Sequence, residues 1–157
     1  MKGPLAILII AAFLLLSYLT YSAIRASAGI ENEHIAELML VYGNGSAGYV
    51  NVYVASSTAE QERGLMYQRS MGSCGGLGDC YGMLFVFPNA SDECFWMKNT
   101  EMPLKQFWIT SNLITAQVNG TPYSTKTYCN TGGWVLEAPA NSTLGLGNGV
   151  YLEKALK

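Results

Sequence analysis

A single histidine, His34, stands in the 157 residues, at the end of a short polar segment. With no second imidazole, a His-rich metal site and a His-based proton relay are excluded on composition. None of the four cysteines is spaced C-x-x-C with another, so the usual signature of a zinc site is missing. Positive charge is not in excess either. Nine Lys and Arg against eleven Asp and Glu leave a formal net charge of -2. That balance offers no phosphate-binding surface, and nucleic acid is not expected as a partner. The glycine-rich run Cys74-Gly75-Gly76-Leu77-Gly78-Asp79-Cys80 has no following Lys and no strand-to-helix setting, so it does not read as a phosphate cradle. No metal and no cofactor is expected.

What is present begins with an apolar run. Leu5 to Ile24 is twenty residues without a charge, the length a helix needs to cross the hydrocarbon core of a bilayer. Residues 1–25 are therefore read as a transmembrane anchor or signal peptide. Ala26-Ser27-Ala28 has the form of a cleavage site, but its distance from the most apolar part and the intervening Arg25 favour an uncleaved anchor. Residues 26–34 form a linker, and 35–157 form one domain, enough chain for a single core and too little for two.

Lys2 and Arg25 are too evenly placed to orient the anchor. Cysteines and sequons do that instead. Cys74, Cys80, Cys94 and Cys129 in a small domain read as two disulfides, with three connectivities open, and hence as an oxidising compartment. Asn44, Asn89, Asn119 and Asn141 each open an N-x-S/T acceptor pattern. The expected location is the extracytoplasmic face of a membrane, or the exterior if the N-terminal segment is removed.

Along the domain, Ile35 to Tyr42 and Gly48 to Ala55 flank Gly43-Asn44-Gly45-Ser46, which predicts a hairpin. Thr58 as N-cap with Gln61 as its capping-box partner predicts a helix from about Ala59 to Gln68. Gly64 in its middle suggests close packing against a sheet or ligand. Met83 to Phe87 reads as a buried strand ended by Pro88. Further strands are expected at Lys105 to Thr110, Leu113 to Val118, Trp134 to Glu137 and Gly149 to Ala155, with one helical turn over Asn141 to Leu146. The sum is a mainly β domain, a sandwich or barrel of about eight strands with one helix packed on it.

The densest chemistry lies in Cys94-Phe95-Trp96-Met97-Lys98-Asn99-Thr100, where aromatic rings meet a cation, an amide and a hydroxyl. As a strand it would place Phe95, Met97 and Asn99 on one face and Trp96, Lys98 and Thr100 on the other. Each face then mixes apolar and polar groups, as in a strand running out of a core into a pocket rim.

Taken together, Thr58 through Met66 (T-A-E-Q-E-R-G-L-M), Arg69, Gly82 to Phe87 (G-M-L-F-V-F), Phe95 to Thr100 (F-W-M-K-N-T), Pro103-Leu104 and Val135-Leu136-Glu137 resemble the blocks of the DUF192 family, also called UPF0127. The resemblance covers about Val50 to Glu153 and implies a compact, mainly β domain, often behind a signal peptide or anchor. It implies no particular activity. Where that family reads Pro-Leu-Asp, this chain has Pro103-Leu104-Lys105. Against the family's shorter connection, Ser73 to Tyr81 looks like a cysteine-bearing insertion, which implies the pairs Cys74 with Cys80 and Cys94 with Cys129.

Four functional readings follow. An aromatic wall with a few convergent polar groups suits a small-ligand site, here Trp96, Lys98, Asn99 and Thr100 with Arg63 from the helix and Glu137 from its strand; Trp with Asn would also suit a sugar. The plain structural alternative makes Arg63 and Glu137 an ion pair and Trp96 core. A hydrolase could use Glu137 with Asp92 or Glu101 as paired carboxylates. Met66, Met71, Met83, Met97 and Met102 could serve Cu(I), although thioethers in apolar patterns are ordinary packing. Finally, the domain could contact another envelope protein.

Overall fold

A computed structural model describes residues 34–155 of the chain. The expected anchor over 1–25, and residues 26–33 of the expected linker, lie outside the described residues; His34, expected to end that linker, instead opens the first strand. Among the described residues no helix is long and apolar enough to cross a membrane.

The described residues form seven strands and one short helix: β1 (His34–Val41), β2 (Ala47–Ala55), α1 (Thr58–Arg63), β3 (Gly82–Phe95), β4 (Leu104–Thr110), β5 (Leu113–Gly120), β6 (Tyr128–Pro139) and β7 (Gly149–Ala155). They close into a barrel in the order β1-β2-β3-β6-β4-β5-β7. Of the two expected architectures, the barrel is the one formed. β2 and β3 pair in parallel, joined by the crossover that carries α1, and the other pairings are antiparallel.

The Asn44-Gly45 turn forms as its sequence predicts. Asn44 Oδ1 accepts from the Ser46 amide at 3.0 Å, and Gly45 takes φ 82°, so Val41 faces Ala47 across the hairpin.

The helix is shorter than expected and begins one residue earlier. Ser57, not Thr58, is the N-cap, and its box partner is Glu60, not Gln61. The Ser57 amide donates to Glu60 Oε2 at 2.8 Å. The helix stops at Arg63 because Gly64 adopts φ 47°, and a Cβ there would lie 3.2 Å from the Phe85 ring. The glycine thus ends the helix and lets the backbone pass close over the sheet.

Pro88 does not end β3. It falls in a register irregularity between Val86 and Ser91, where a missing N–H breaks no ladder bond. Pairing with β6 then resumes from Ser91 to Phe95, which is why β6 extends well beyond the apolar Trp134–Glu137 core of the motif. Seven strands replace about eight because the 94–100 run is not a strand of its own; β3 absorbs its first two residues. Asn141 to Leu146 is irregular, not helical.

The cysteines pair as the family resemblance implies, Cys74 with Cys80 and Cys94 with Cys129. Asn44, Asn89, Asn119 and Asn141 are all exposed.

Period-two alternation sorts the strands into two faces. Leu38, Leu40, Val52, Leu84, Phe107, Ile109, Ile114, Leu136 and Val150 form the main apolar cluster. The alternate positions of three adjacent strands, Met83 and Phe85 on β3, Gln106 and Trp108 on β4, Val135 and Glu137 on β6, share the opposite face. They are nevertheless buried. Phe95 bridges this second layer, edge-on to Phe85 at 4.8 Å and to Trp108 at 5.9 Å between ring centres. The candidate site lies along this layer.

Candidate functional site

Cross-strand register sets the polar centre. Glu137 faces Met83 on one side and Gln106 on the other, within a layer whose remaining members, Phe85, Phe95, Trp108 and Val135, are apolar. Gln106 Nε2 donates to Glu137 Oε1 at 3.0 Å and lies 3.7 Å from Met97 Sδ. Gln106 Oε1 is buried without a hydrogen-bond partner among the described residues. Burial pushes the Glu137 carboxyl up to about 7, against the pull of the Gln106 hydrogen bond. The acid is therefore largely neutral below neutrality, as expected for a carboxyl removed from water.

Glu137 lies on the wall of a narrow cleft of about 30 Å³ that also involves Arg63, Gly64, Leu65, Met66, Phe85, Phe95, Trp96 and Thr100. That is room for a water molecule and nothing larger than a few atoms. Four of the six residues singled out in the sequence, Arg63, Trp96, Thr100 and Glu137, converge here. Lys98 and Asn99 do not line it. Lys98 Nζ is 4.9 Å from the centre of the Trp96 ring, a cation–π contact that biases the indole orientation. Asn99 turns to Tyr67, donating from Nδ2 to the phenolic oxygen at 2.8 Å.

The expected alternation fails for a local reason. β3 ends at Phe95, and Met97 to Thr100 is a tight turn closed by the Thr100 amide on the Met97 carbonyl at 3.1 Å. Asn99, at its third position, has φ 55°, so side chains no longer alternate between two faces.

A larger groove adjoins the cleft and shares Gln61, Glu62, Phe95 and Trp96 with it. It measures about 540 Å³ and is completed by Thr58, Phe87, Glu93 and Cys94. Phe87, Glu93, Gln61 and Glu62 escaped the sequence reading. The two helix residues look like ordinary solvated positions, and Phe87 and Glu93 join Trp96 only because β3 runs through Pro88.

The Asn99 turn is held by two others of the same form. The Gln68 amide closes Leu65–Gln68 at 3.3 Å, and the Ser124 amide closes Thr121–Ser124 at 3.1 Å. Their third residues, Tyr67 and Tyr123, have φ 63° and 61°. Type II turns reserve this position for Gly or Asn; a bulky residue there costs roughly 1 kcal/mol or more. The Tyr67 amide donates to the Asn99 carbonyl at 2.7 Å and the Tyr123 amide to the Thr100 carbonyl at 3.1 Å. Three turns are thus locked together, and no sequence signal announces the tyrosines.

The paired-carboxylate expectation fares poorly. Asp92 takes the Thr131 hydroxyl and pairs with Thr131 on β6, six residues from Glu137 and so about 20 Å away at strand rise. Glu101 is engaged by Arg69 at 3.2 Å. Met83 and Met97 are core residues, 0 % and 1 % exposed. Among the described residues, no group of three or more His, Cys, Asp or Glu could hold a metal ion. Lys105, the departure from the family pattern, donates to the Ser142 carbonyl at 2.7 Å instead of reaching the cleft.

The fold and site define a class: a small closed β-barrel with a short crossover helix roofing an aromatic cleft around one buried acid. The chain belongs to the DUF192 family, described as "Uncharacterized ACR", whose model matches residues 40–153. Among solved structures it is similar to a protein from Sinorhizobium meliloti 1021 provisionally named a transcription regulator, with 27% identity over 79% of this chain and 98% of that one and a TM-score of 0.69. A protein of unknown function from Novosphingobium aromaticivorans DSM 12444 shares the fold, with a TM-score of 0.66 and 23% identity over 78% of this chain and 88% of that one. No curated protein matches the chain.

Proposed function

We propose that the domain is an extracytoplasmic binding module, held to a membrane by residues 1–25, that takes a short uncharged carbohydrate in the groove between α1 and the Phe95-Trp96 end of β3. The observation that carries this reading is the groove's lining. It combines the rings of Phe87 and Trp96, with the buried Phe95 behind them, and the carboxylates of Glu62 and Glu93, the Gln61 amide and the Thr58 hydroxyl; no Lys or Arg lines it, although Lys98 stands over the Trp96 ring. Aromatic faces match the apolar faces of a sugar ring, and the acceptors on the rim match its hydroxyls. An anionic ligand would meet two carboxylates.

The volume of about 540 Å³ falls within the usual range for small-molecule sites, roughly 300–1,000 Å³. The cleft beneath, at about 30 Å³, is too narrow for a sugar ring, so Glu137 supports the floor of the site instead of acting on the bound ligand. This favours binding over glycoside hydrolysis. The name of the Sinorhizobium meliloti neighbour does not transfer readily, because a net charge of -2 and an acid-lined groove give DNA little to bind. Two disulfides and four exposed sequon asparagines support an oxidising location.

The test is calorimetric titration of the full-length chain in detergent micelles with neutral, cationic and anionic oligosaccharides. A neutral glycan should bind, and Trp96→Ala should weaken it at least about tenfold, or about 1.4 kcal/mol. Heat with none of the panel, or a preference for the anionic members, would overturn the proposal.

A further inference from the structure

We infer that Tyr67 and Tyr123 form an aromatic shelf beside the groove that holds the further units of a longer neutral glycan; the inference rests on the carbohydrate reading of the groove. It starts from the backbone. Both tyrosines occupy turn positions where Gly or Asn would be better tolerated, and a bulky residue kept there normally packs its side chain into the protein. These rings do not. Tyr67 is 65% and Tyr123 62% exposed, so burial does not explain either one.

Their backbones are fastened to Asn99 and Thr100, on the same short loop that begins with Trp96, itself 43% exposed and part of the groove wall. The Asn99 amide bonded to the Tyr67 hydroxyl restrains that ring further. Exposed aromatic rings with a polar tip suit a hydroxylated ligand, and a ring restrained before any ligand arrives, as Tyr67 is by Asn99, loses little entropy on binding. Tyr67, Asn99 and Tyr123, three of the five non-glycine residues with positive φ among the described residues, lie in these linked turns and the other two, Ser111 and Asn112, in the β4–β5 turn; strained backbone at a binding surface is what arises when geometry takes precedence over stability.

The experiment uses the full-length chain in micelles and β-1,4-linked gluco- and chito-oligosaccharides of two to six units. Wild-type affinity should rise at least tenfold from the disaccharide to the hexasaccharide. A Tyr67→Asn/Tyr123→Asn double variant should bind the disaccharide as wild type does, lose the tenfold gain with length, and unfold at a temperature no lower than wild type, since Asn tolerates positive φ. The corresponding double Gly variant should do the same. Undiminished hexasaccharide affinity in the double variants overturns the shelf while leaving the groove intact. Double variants that melt well below wild type overturn it too, by showing that the tyrosines serve folding. A wild-type chain that binds none of these sugars overturns both the shelf and the groove.

Discussion

Glu137 is the residue at which burial and charge conflict most directly. It is 4% exposed, and its pKa rises from the ordinary 4.5 to about 7. The folded state therefore holds the proton more tightly than the unfolded chain between those two values. Stability from this group is fully present below pH 4.5 and is lost as the pH rises towards 7. The loss is on the order of 3 kcal/mol. Glu60 acts in the opposite sense and at lower pH: the hydrogen bond from the Ser57 backbone amide lowers its pKa, so its contribution is present above 4.5 and fades as the pH falls below it. Urea melts at pH 5, 6 and 8 should show wild type losing stability across the range and Glu137→Gln staying nearly flat. A wild type that gains stability from pH 5 to 8 would contradict the assignment. At this scale the sequence was informative where chemistry was unusual. A lone acid within Trp134-Val135-Leu136-Glu137 stands out on hydropathy alone, whereas Tyr67 and Tyr123 look ordinary until their backbone angles are known.

At the scale of elements, the two crosslinks differ in what they close. Cys94–Cys129 spans a sequence separation of 35 residues and ties β3 to β6 directly opposite each other, while Cys74–Cys80 spans 6 within the glycine-rich loop. Loop-closure entropy gives about 4 kcal/mol for the first and about 2 for the second. Urea melts of the Cys94→Ala/Cys129→Ala and Cys74→Ala/Cys80→Ala variants should rank in that order, and a larger loss from the short loop would refute the ranking. Elements governed by local signals were legible: the Asn44-Gly45 hairpin, β7 and the existence of a capped helix. Those governed by partners were not. Pro88 reads as a strand end, yet β6 supplies pairing on its far side, and a register irregularity accommodates the ring. The helix pattern continues past Arg63, but contact with Phe85 requires Gly64 to leave the helical region.

For the molecule as a whole, closure of the barrel leaves one sheet face for the main core and lets three adjacent strands build a second buried layer beneath α1. That second layer is what brings helix, β3, β6 and the Trp96–Thr100 turn to one place. The proposed attachment predicts that the full-length protein stays with the membrane fraction after an alkaline wash and that its domain is reached by protease from the outer side only. A mature N-terminus beginning after Ala28 in a soluble fraction, found by mass spectrometry, would replace the anchor with a cleaved signal.

By itself the sequence determined a mainly β domain, the family, the cysteine framework and the segments from which a site would be drawn. The β class follows from composition, hydrophobic period and local turn chemistry, which act between near neighbours in the chain, whereas the family and the cysteine pairing were implied by the resemblance of whole sequence blocks to DUF192. Tertiary structure alone decided that Arg63, Trp96, Thr100 and Glu137 share one cleft, that Lys98 and Asn99 do not, and that Phe87, Glu93 and two strained tyrosines stand beside them. These placements depend on strand register and on turns closed by distant partners, and pairing across a barrel is set by contacts that no local pattern encodes.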